Sequence, residues 1–361
     1  ALRRGPELGD FKWGRNKIRI FSRRILQPTQ KLRIAVRHIR RTIGHSRFRP
    51  GLSRNRQFVQ CGFYWRDVML AAGAAGLLPT ALVAEERTMI ERTIPSSGEK
   101  MPVLGIGTYD VFDHASTPDA IARSREIVDI LLGDGGSVID TSPMYNRSEK
   151  VIGDIIAAGS PRDAMFIATK VWTDGREAGA RQMEESARLM NTAVIDLMQV
   201  HNLRDTDIHM ATIRDWQEQG RIRYNGLTHY TAGAHKRLAA AMEEHRPDFI
   251  QINYSLGERE AEDRVLPLAR DLGIAVLINR PYQSGRLFRA VSGKALPEWA
   301  TEFAASWGQF FLKWIIGHPA VTCAIPATSK PHHMRDNVEA GFGALPDEQT
   351  RRRMVEFMSA L

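Results

Sequence analysis

From about residue 100 the chain alternates between two textures. Short apolar, β-branched runs recur, most of them closing on a polar residue: VLGIGTYD, SVIDTS, MFIATKV, VIDLMQVHN, RYNGLTHY, FIQINYS, AVLINRP and VTCAIPATS. Between them lie stretches with helical spacing of apolar positions, such as DAIARSREIVDILLGDG and the final DEQTRRRMVEFMSAL. Near-continuous apolar strands separated by amphipathic helices predict a parallel sheet with helices over its faces. Eight such units predict a (β/α)8 TIM barrel spanning 91–361. An open doubly wound sheet would need a reversal of strand order. No G-x-G-x-x-G follows the first strand, where Gly105 and Gly107 fit only its first half.

The first ninety residues read differently. Residues 1–66 carry 18 Lys/Arg against two carboxylates, Glu7 and Asp10, whereas the remainder carries 32 basic and 39 acidic residues. The overall charge of +9 therefore belongs to a basic extension without sustained periodicity, expected to be disordered. The acidic remainder gives no electrostatic reason to bind nucleic acid. Residues 67–90 form a signal-like segment. Within it, Val68–Ala84 is a 17-residue run rich in Ala and Gly that follows basic residues and ends in small ones. The run is short for a stable membrane span, which needs about 20 apolar residues. It resembles a twin-arginine export signal, with Trp65 standing where the first arginine would be. The expectation is a periplasmic location, with a cytoplasmic one as the alternative. Two cysteines, Cys61 and Cys323, are too few for a disulfide framework or a four-cysteine zinc site.

In such a barrel, functional groups sit at the carboxyl ends of the strands. Asp140, Lys170 and His201 occupy three successive ends, 30 and 31 residues apart, and Tyr145 follows the first of them. A buried lysine and aspartate satisfy one another by pairing. An ammonium beside a phenol stabilises the phenolate, so Lys170 is expected to lower the pKa of Tyr145 and make it a usable general acid. His201 is placed to hydrogen-bond a carbonyl oxygen. The set suits protonation of an oxygen while a nucleophile attacks the adjoining carbon. A structural Asp140–Lys170 pair with Tyr145 on the rim is the plainer alternative.

The segments VIDTSPMYNRSE, FIATKVW and LMQVHN, with MPVLGIGTYD before them and IPATSKPHHMRDNVEA after, resemble the aldo/keto reductase superfamily from about Ile94 to Leu361. The resemblance implies reduction of an aldehyde or ketone by NADPH, with NADH as the alternative, and no metal. It implies Tyr145 as proton donor, Lys170 bonded to Asp140, and His201 orienting a small-molecule carbonyl substrate. Hydride chemistry then belongs to the cofactor, and the protein supplies position and field. Thr228 and His229 stand where the family has Ser-Asn at the nicotinamide amide, and Gln251 matches the next strand's glutamine. Asn279 and Arg280 occupy a place where many members have a stacking aromatic. Thr328, Ser329 and Lys330 precede a helix N-terminus, a position that favours anions, and Lys330 suits the 2′-phosphate of NADPH. His333 stands where an arginine is common in NADPH-preferring members. The resemblance extends the cofactor contacts to Gly107, Thr108, Ser284 and Asn337. Tyr109, Met144 and Trp172 are the expected substrate wall. Trp299, Trp307 and Trp314, at helical spacing, are expected in the core.

Two other functions fit parts of this pattern. A nicotinamide-binding subunit that senses redox state or serves as an interaction partner would keep the site without turnover. A Schiff-base aldolase would use Lys170 as nucleophile, but that chemistry needs a neutral lysine, and Asp140 favours the charged one.

Overall fold

A computed structural model of the chain describes residues 87–361. The basic extension, and the signal-like segment up to residue 86, lie outside the described residues. Met89 already packs into the core, and Ile90 donates its N–H to the Gly341 carbonyl, so barrel packing begins just before residue 91.

A short antiparallel hairpin comes first, β1 (Glu91–Thr93) and β2 (Lys100–Pro102). Eight parallel strands follow: β3 (Gly105–Gly107), β4 (Val138–Asp140), β5 (Phe166–Val171), β6 (Ile195–His201), β7 (Ile222–Thr228), β8 (Phe249–Asn253), β9 (Ala275–Asn279) and β10 (Cys323–Ala324). Seven lie within the apolar runs, and β7 begins one residue before the run RYNGLTHY. They pair in sequence order, which rules out the strand-order reversal of an open doubly wound sheet. A parallel bridge between Leu104 and Ala324 brings the last strand back to the first, and Ala324 donates its N–H to the Val103 carbonyl at 2.9 Å.

The interior of the barrel is filled by Val138, Phe166, Ala168, Leu197, Tyr224, Phe249, Leu277 and Cys323. Ile94 and Met101 of the hairpin segment join this cluster and close the amino-terminal end. A second, larger core lies between the strands and the surrounding helices and includes Trp314, with Trp299 and Trp307 packed against it. Helix starts follow local chemistry. Thr117 caps helix Pro118–Gly133, Ser306 caps Trp307–Ile316 and Asp347 caps Glu348–Ser359, each side-chain oxygen accepting a first-turn N–H. With the opposite end plugged, the carboxyl ends of the strands are the open face. No described helix is long and apolar enough to cross a membrane.

Candidate active site

Register sets the site. Gly107 aligns with Asp140, Lys170 with Gln199, and His201 with both Thr228 and, one strand on, Gln251. Gly107, Asp140, His201, Thr228 and Gln251 of this set meet at the barrel mouth around a cavity of about 590 Å³. Among the residues singled out from sequence, Gly107, Thr108, Tyr109, Asp140, Met144, Tyr145, His201, Thr228, Gln251, Asn279, Arg280 and Ser284 line it. A groove of about 740 Å³ on the barrel's flank is larger, but its walls include the paired charges Arg351–Glu262 and Arg352–Glu348, and it carries none of these groups.

Lys170 is fully buried behind the cavity wall. Its Nζ donates to Asp140 Oδ2 at 2.8 Å and to the Thr141 carbonyl at 2.6 Å. Asp140 is satisfied on its other oxygen, which accepts from Gln251 Nε2 at 2.6 Å and Gln199 Nε2 at 3.3 Å. Gln251 Oε1 in turn accepts from Thr228 at 3.2 Å and from Asn279 Nδ2 at 3.3 Å. The floor of the cavity is thus one polar network centred on a buried ion pair. Burial alone would lower the pKa of Lys170, but the charge of Asp140 overrides it, and the ammonium is stabilised. A fully buried ammonium so held is a poor carbonyl nucleophile, which weighs against the aldolase alternative.

Tyr145 sits on a tight turn whose geometry the sequence fixes. Its N–H donates to the Ser142 carbonyl, and Asn146 beyond it adopts a left-handed φ of 52°. Asp113 pins that turn by accepting from Asn146 Nδ2 and Arg147 Nε. The Lys170 ammonium lies 4.9 Å from the Tyr145 ring centroid. The expected net lowering of the Tyr145 pKa is not found. Burial raises it first; Lys170 pulls it down, Asp140 pushes it up again, and the sum is upward. Lys170 therefore acts in the expected direction without prevailing, because the burial of the phenol and the charge of Asp140 together outweigh it.

His201 is neutral at physiological pH. Burial, then the charges of Lys170 and His229, drive its pKa down to about 3. Its Nδ1 lies 3.1 Å from Ser142 Oγ. The ring packs edge-on to Tyr145 at 6.0 Å and near Trp172 at 6.4 Å.

Several expected residues lie off the cavity wall. Trp172 packs beside His201 and under Arg204. His229 turns its ring onto Tyr230, and its Nδ1 accepts from the Tyr230 N–H. Thr328, Ser329 and Lys330 lead into helix Pro331–Glu339, with Ser329 and Lys330 exposed and Thr328 Oγ1 accepting the Lys330 N–H at 3.1 Å. His333 in the first turn lies 3.5 Å from Thr328 Oγ1 and is held below its usual pKa by burial and by His332 and Lys330. Asn337 is buried and accepts from the Tyr282 hydroxyl at 2.6 Å.

The sequence reading did not single out Ser142, Asn202, Tyr230, Tyr282, Phe288 or Ala327, although all but Ser142 line the cavity. Most come from loops, where no periodicity marks which side chain turns inward. Ser142 was legible only as a hydroxyl two residues after Asp140.

With this geometry established, similarity to known proteins fixes the family. Residues 103–353 match the aldo/keto reductase family, and the chain belongs to it. It is therefore an oxidoreductase. Methylglyoxal reductase YeaE of Escherichia coli is 28% identical over 263 residues, covering 69% of this chain and 89% of that protein. Aldo-keto reductase YhdN of Bacillus subtilis is 28% identical over 225 residues, 58% of this chain and 66% of that one. Among solved structures, an aldo/keto reductase from Klebsiella pneumoniae in complex with NADP and acetate is 25% identical at a TM-score of 0.62, covering 74% of this chain and 94% of that one. A Klebsiella pneumoniae aldo-keto reductase in complex with NADPH is similar in fold, with 24% identity, a TM-score of 0.64, and coverage of 75% of this chain and 95% of that one.

Proposed function

We propose that this cavity reduces an aldehyde or ketone to the alcohol, with NADPH as reductant, Tyr145 as proton donor, and Asp140, Lys170 and His201 in support. The observation that carries the reading is the convergence of a phenol, a buried ammonium–carboxylate pair and a neutral imidazole on one cavity. The cofactor, when bound, supplies a hydride to the carbonyl carbon and leaves oxidised.

The chain's own residues handle the oxygen. Tyr145 rests protonated at neutral pH, as any phenol does whose pKa is not lowered, and so carries the proton to be donated. As negative charge develops on the substrate oxygen, the Tyr145 proton moves to it, completing the alcohol and leaving a phenolate. Lys170 stabilises that phenolate, and Asp140 keeps Lys170 charged. His201, being neutral, offers a hydrogen bond to the substrate oxygen without adding a competing charge.

The residues present suit a nicotinamide cofactor. Asn279 Oδ1 is buried without a hydrogen-bond partner, though Asn279 lines the cavity, and an amide N–H would satisfy it. Thr228 and Gln251 stand beside it. Among the residues lining the cavity, Arg280 is the one arginine or lysine, and Lys330 with Ser329 adds a second anion-favouring position at a helix N-terminus. These charges favour NADPH over NADH.

The test is a carbonyl panel followed by loss of reduced-cofactor absorbance, with NADPH and NADH in parallel. Methylglyoxal heads the panel because of the E. coli relative's activity. Turnover faster with NADPH than with NADH supports the reading. Cofactor binding without turnover on any carbonyl contradicts it and favours a sensing or interaction subunit.

A further inference from the structure

Ser142 has no role in the chemistry just described, yet its hydroxyl is wholly enclosed. Two groups reach its Oγ. The Met144 N–H donates to it at 3.2 Å, and His201 Nδ1 stands 3.1 Å away. The hydrogen count then has one satisfactory solution. If Nδ1 carried the imidazole proton, Ser142 Oγ would accept twice and its own O–H, buried with the rest of the residue, would be left without an acceptor. A buried donor without a partner is costly. If Nδ1 is bare, Ser142 accepts from Met144 and donates to His201, and every group is satisfied.

We propose that Ser142 is a positioning residue that locks His201 in the Nε2–H tautomer and aims that N–H at the substrate oxygen. The role rests on the carbonyl-reductase reading; the tautomer lock does not. The chain of dependence is short and local. In the Ser142–Tyr145 turn the Tyr145 N–H donates to the Ser142 carbonyl and the Met144 N–H to the Ser142 hydroxyl, so one turn carries the proton donor and also orients the hydrogen bond to His201. The neutral state of His201 is a precondition, since an imidazolium would donate from both nitrogens.

Nitrogen-15 labelling of the histidines in the full chain, with long-range proton–nitrogen correlation, reads the tautomer directly. The His201 signal is assigned by its loss in His201→Gln. The expected wild-type spectrum has a protonated Nε2 and a bare, hydrogen-bonded Nδ1. In Ser142→Ala the Nδ1 shift moves toward that of a free pyridine-like nitrogen. There kcat for carbonyl reduction falls about tenfold or more, by analogy with loss of one oriented donor, while NADPH affinity by fluorescence titration holds. Ser142→Thr, which keeps the hydroxyl, restores the wild-type Nδ1 shift. A wild-type spectrum with Nδ1 protonated overturns the proposal without any variant. So does a Ser142→Ala enzyme with unchanged kcat and an unchanged His201 signal. If the spectrum is as expected and no carbonyl is turned over, the reductase reading fails while the tautomer lock stands.

Discussion

Gln251 Nε2 lies 2.6 Å from Asp140 Oδ1, on the opposite side of the carboxylate from Lys170, whose Nζ is 2.8 Å from Oδ2. Asp140 is thus held by a charge on one oxygen and by an amide on the other. The amide comes from a strand four places round the barrel. Gln251→Leu removes the nearer of the two amides on Oδ1 and leaves Gln199 at 3.3 Å as its one remaining donor. We expect it to destabilise the fold by about 1–3 kcal/mol, the usual range for stripping a buried charged acceptor of a partner. Thr228→Val, which takes only a donor from Gln251, should cost less. Urea unfolding of both variants checks the order.

Glu149 gives the fold a pH dependence. Its carboxyl is buried in the first turn of helix Ser148–Ala157 and accepts from Thr169 Oγ1 at 2.6 Å, and burial raises its pKa from 4.5 to about 7. Between those two values the folded chain binds a proton that the unfolded chain has released. Stability therefore falls as pH rises through that window, and the penalty is constant above it. Glu149→Gln lacks the penalty. Its stability relative to wild type should grow from the lower pH to the upper by on the order of 3 kcal/mol. Urea titrations at several pH values measure the difference, and a difference that does not vary with pH would contradict the assignment.

His201 titrates in the opposite sense. Its folded pKa of about 3 lies below the ordinary 6.5, so the unfolded chain takes up a proton that the folded chain refuses. Stability is lost as pH falls from 6.5 toward 3. The activity of the folded enzyme should show no inflection from His201 between about pH 5 and 8. A pH profile of kcat/KM on wild type and on His201→Gln checks this. An inflection near 6.5 present in wild type and absent in the variant would mean that the ring is not neutral.

Lys330 is the expected reader of the extra phosphate of NADPH. Lys330→Met should raise the Kd for NADPH by about tenfold, equivalent to about 1.4 kcal/mol, and leave that for NADH nearly unchanged. Fluorescence titration with both cofactors decides it. An equal loss for both would place Lys330 elsewhere.

The barrel was legible because its strands are buried on both faces and its helices on one, so two distinct periodicities alternate along the chain. All eight apolar runs became strands, and Asp140, Lys170 and His201 fell at or beside their ends. The hairpin at Glu91–Pro102 was not read as an element, because its strands are three residues each and carry no period of their own. The pKa of Tyr145 was expected to move the wrong way, since a sequence places a lysine near a phenol but does not reveal how far burial and the Asp140 charge oppose it. The Ser142–His201 contact spans 59 positions and joins the loop after β4 to the end of β6, two strands away, a distance over which single-sequence patterns carry no signal.

The central claim is that Tyr145 delivers the proton. Tyr145→Phe removes one oxygen and keeps the ring that packs against Tyr109 and His201. With a carbonyl that the wild type reduces, single-turnover oxidation of bound NADPH should fall by about 10²–10⁴-fold in the variant, while NADPH binds with unchanged affinity. A Tyr145→Phe enzyme that oxidises NADPH at close to the wild-type rate would contradict the account.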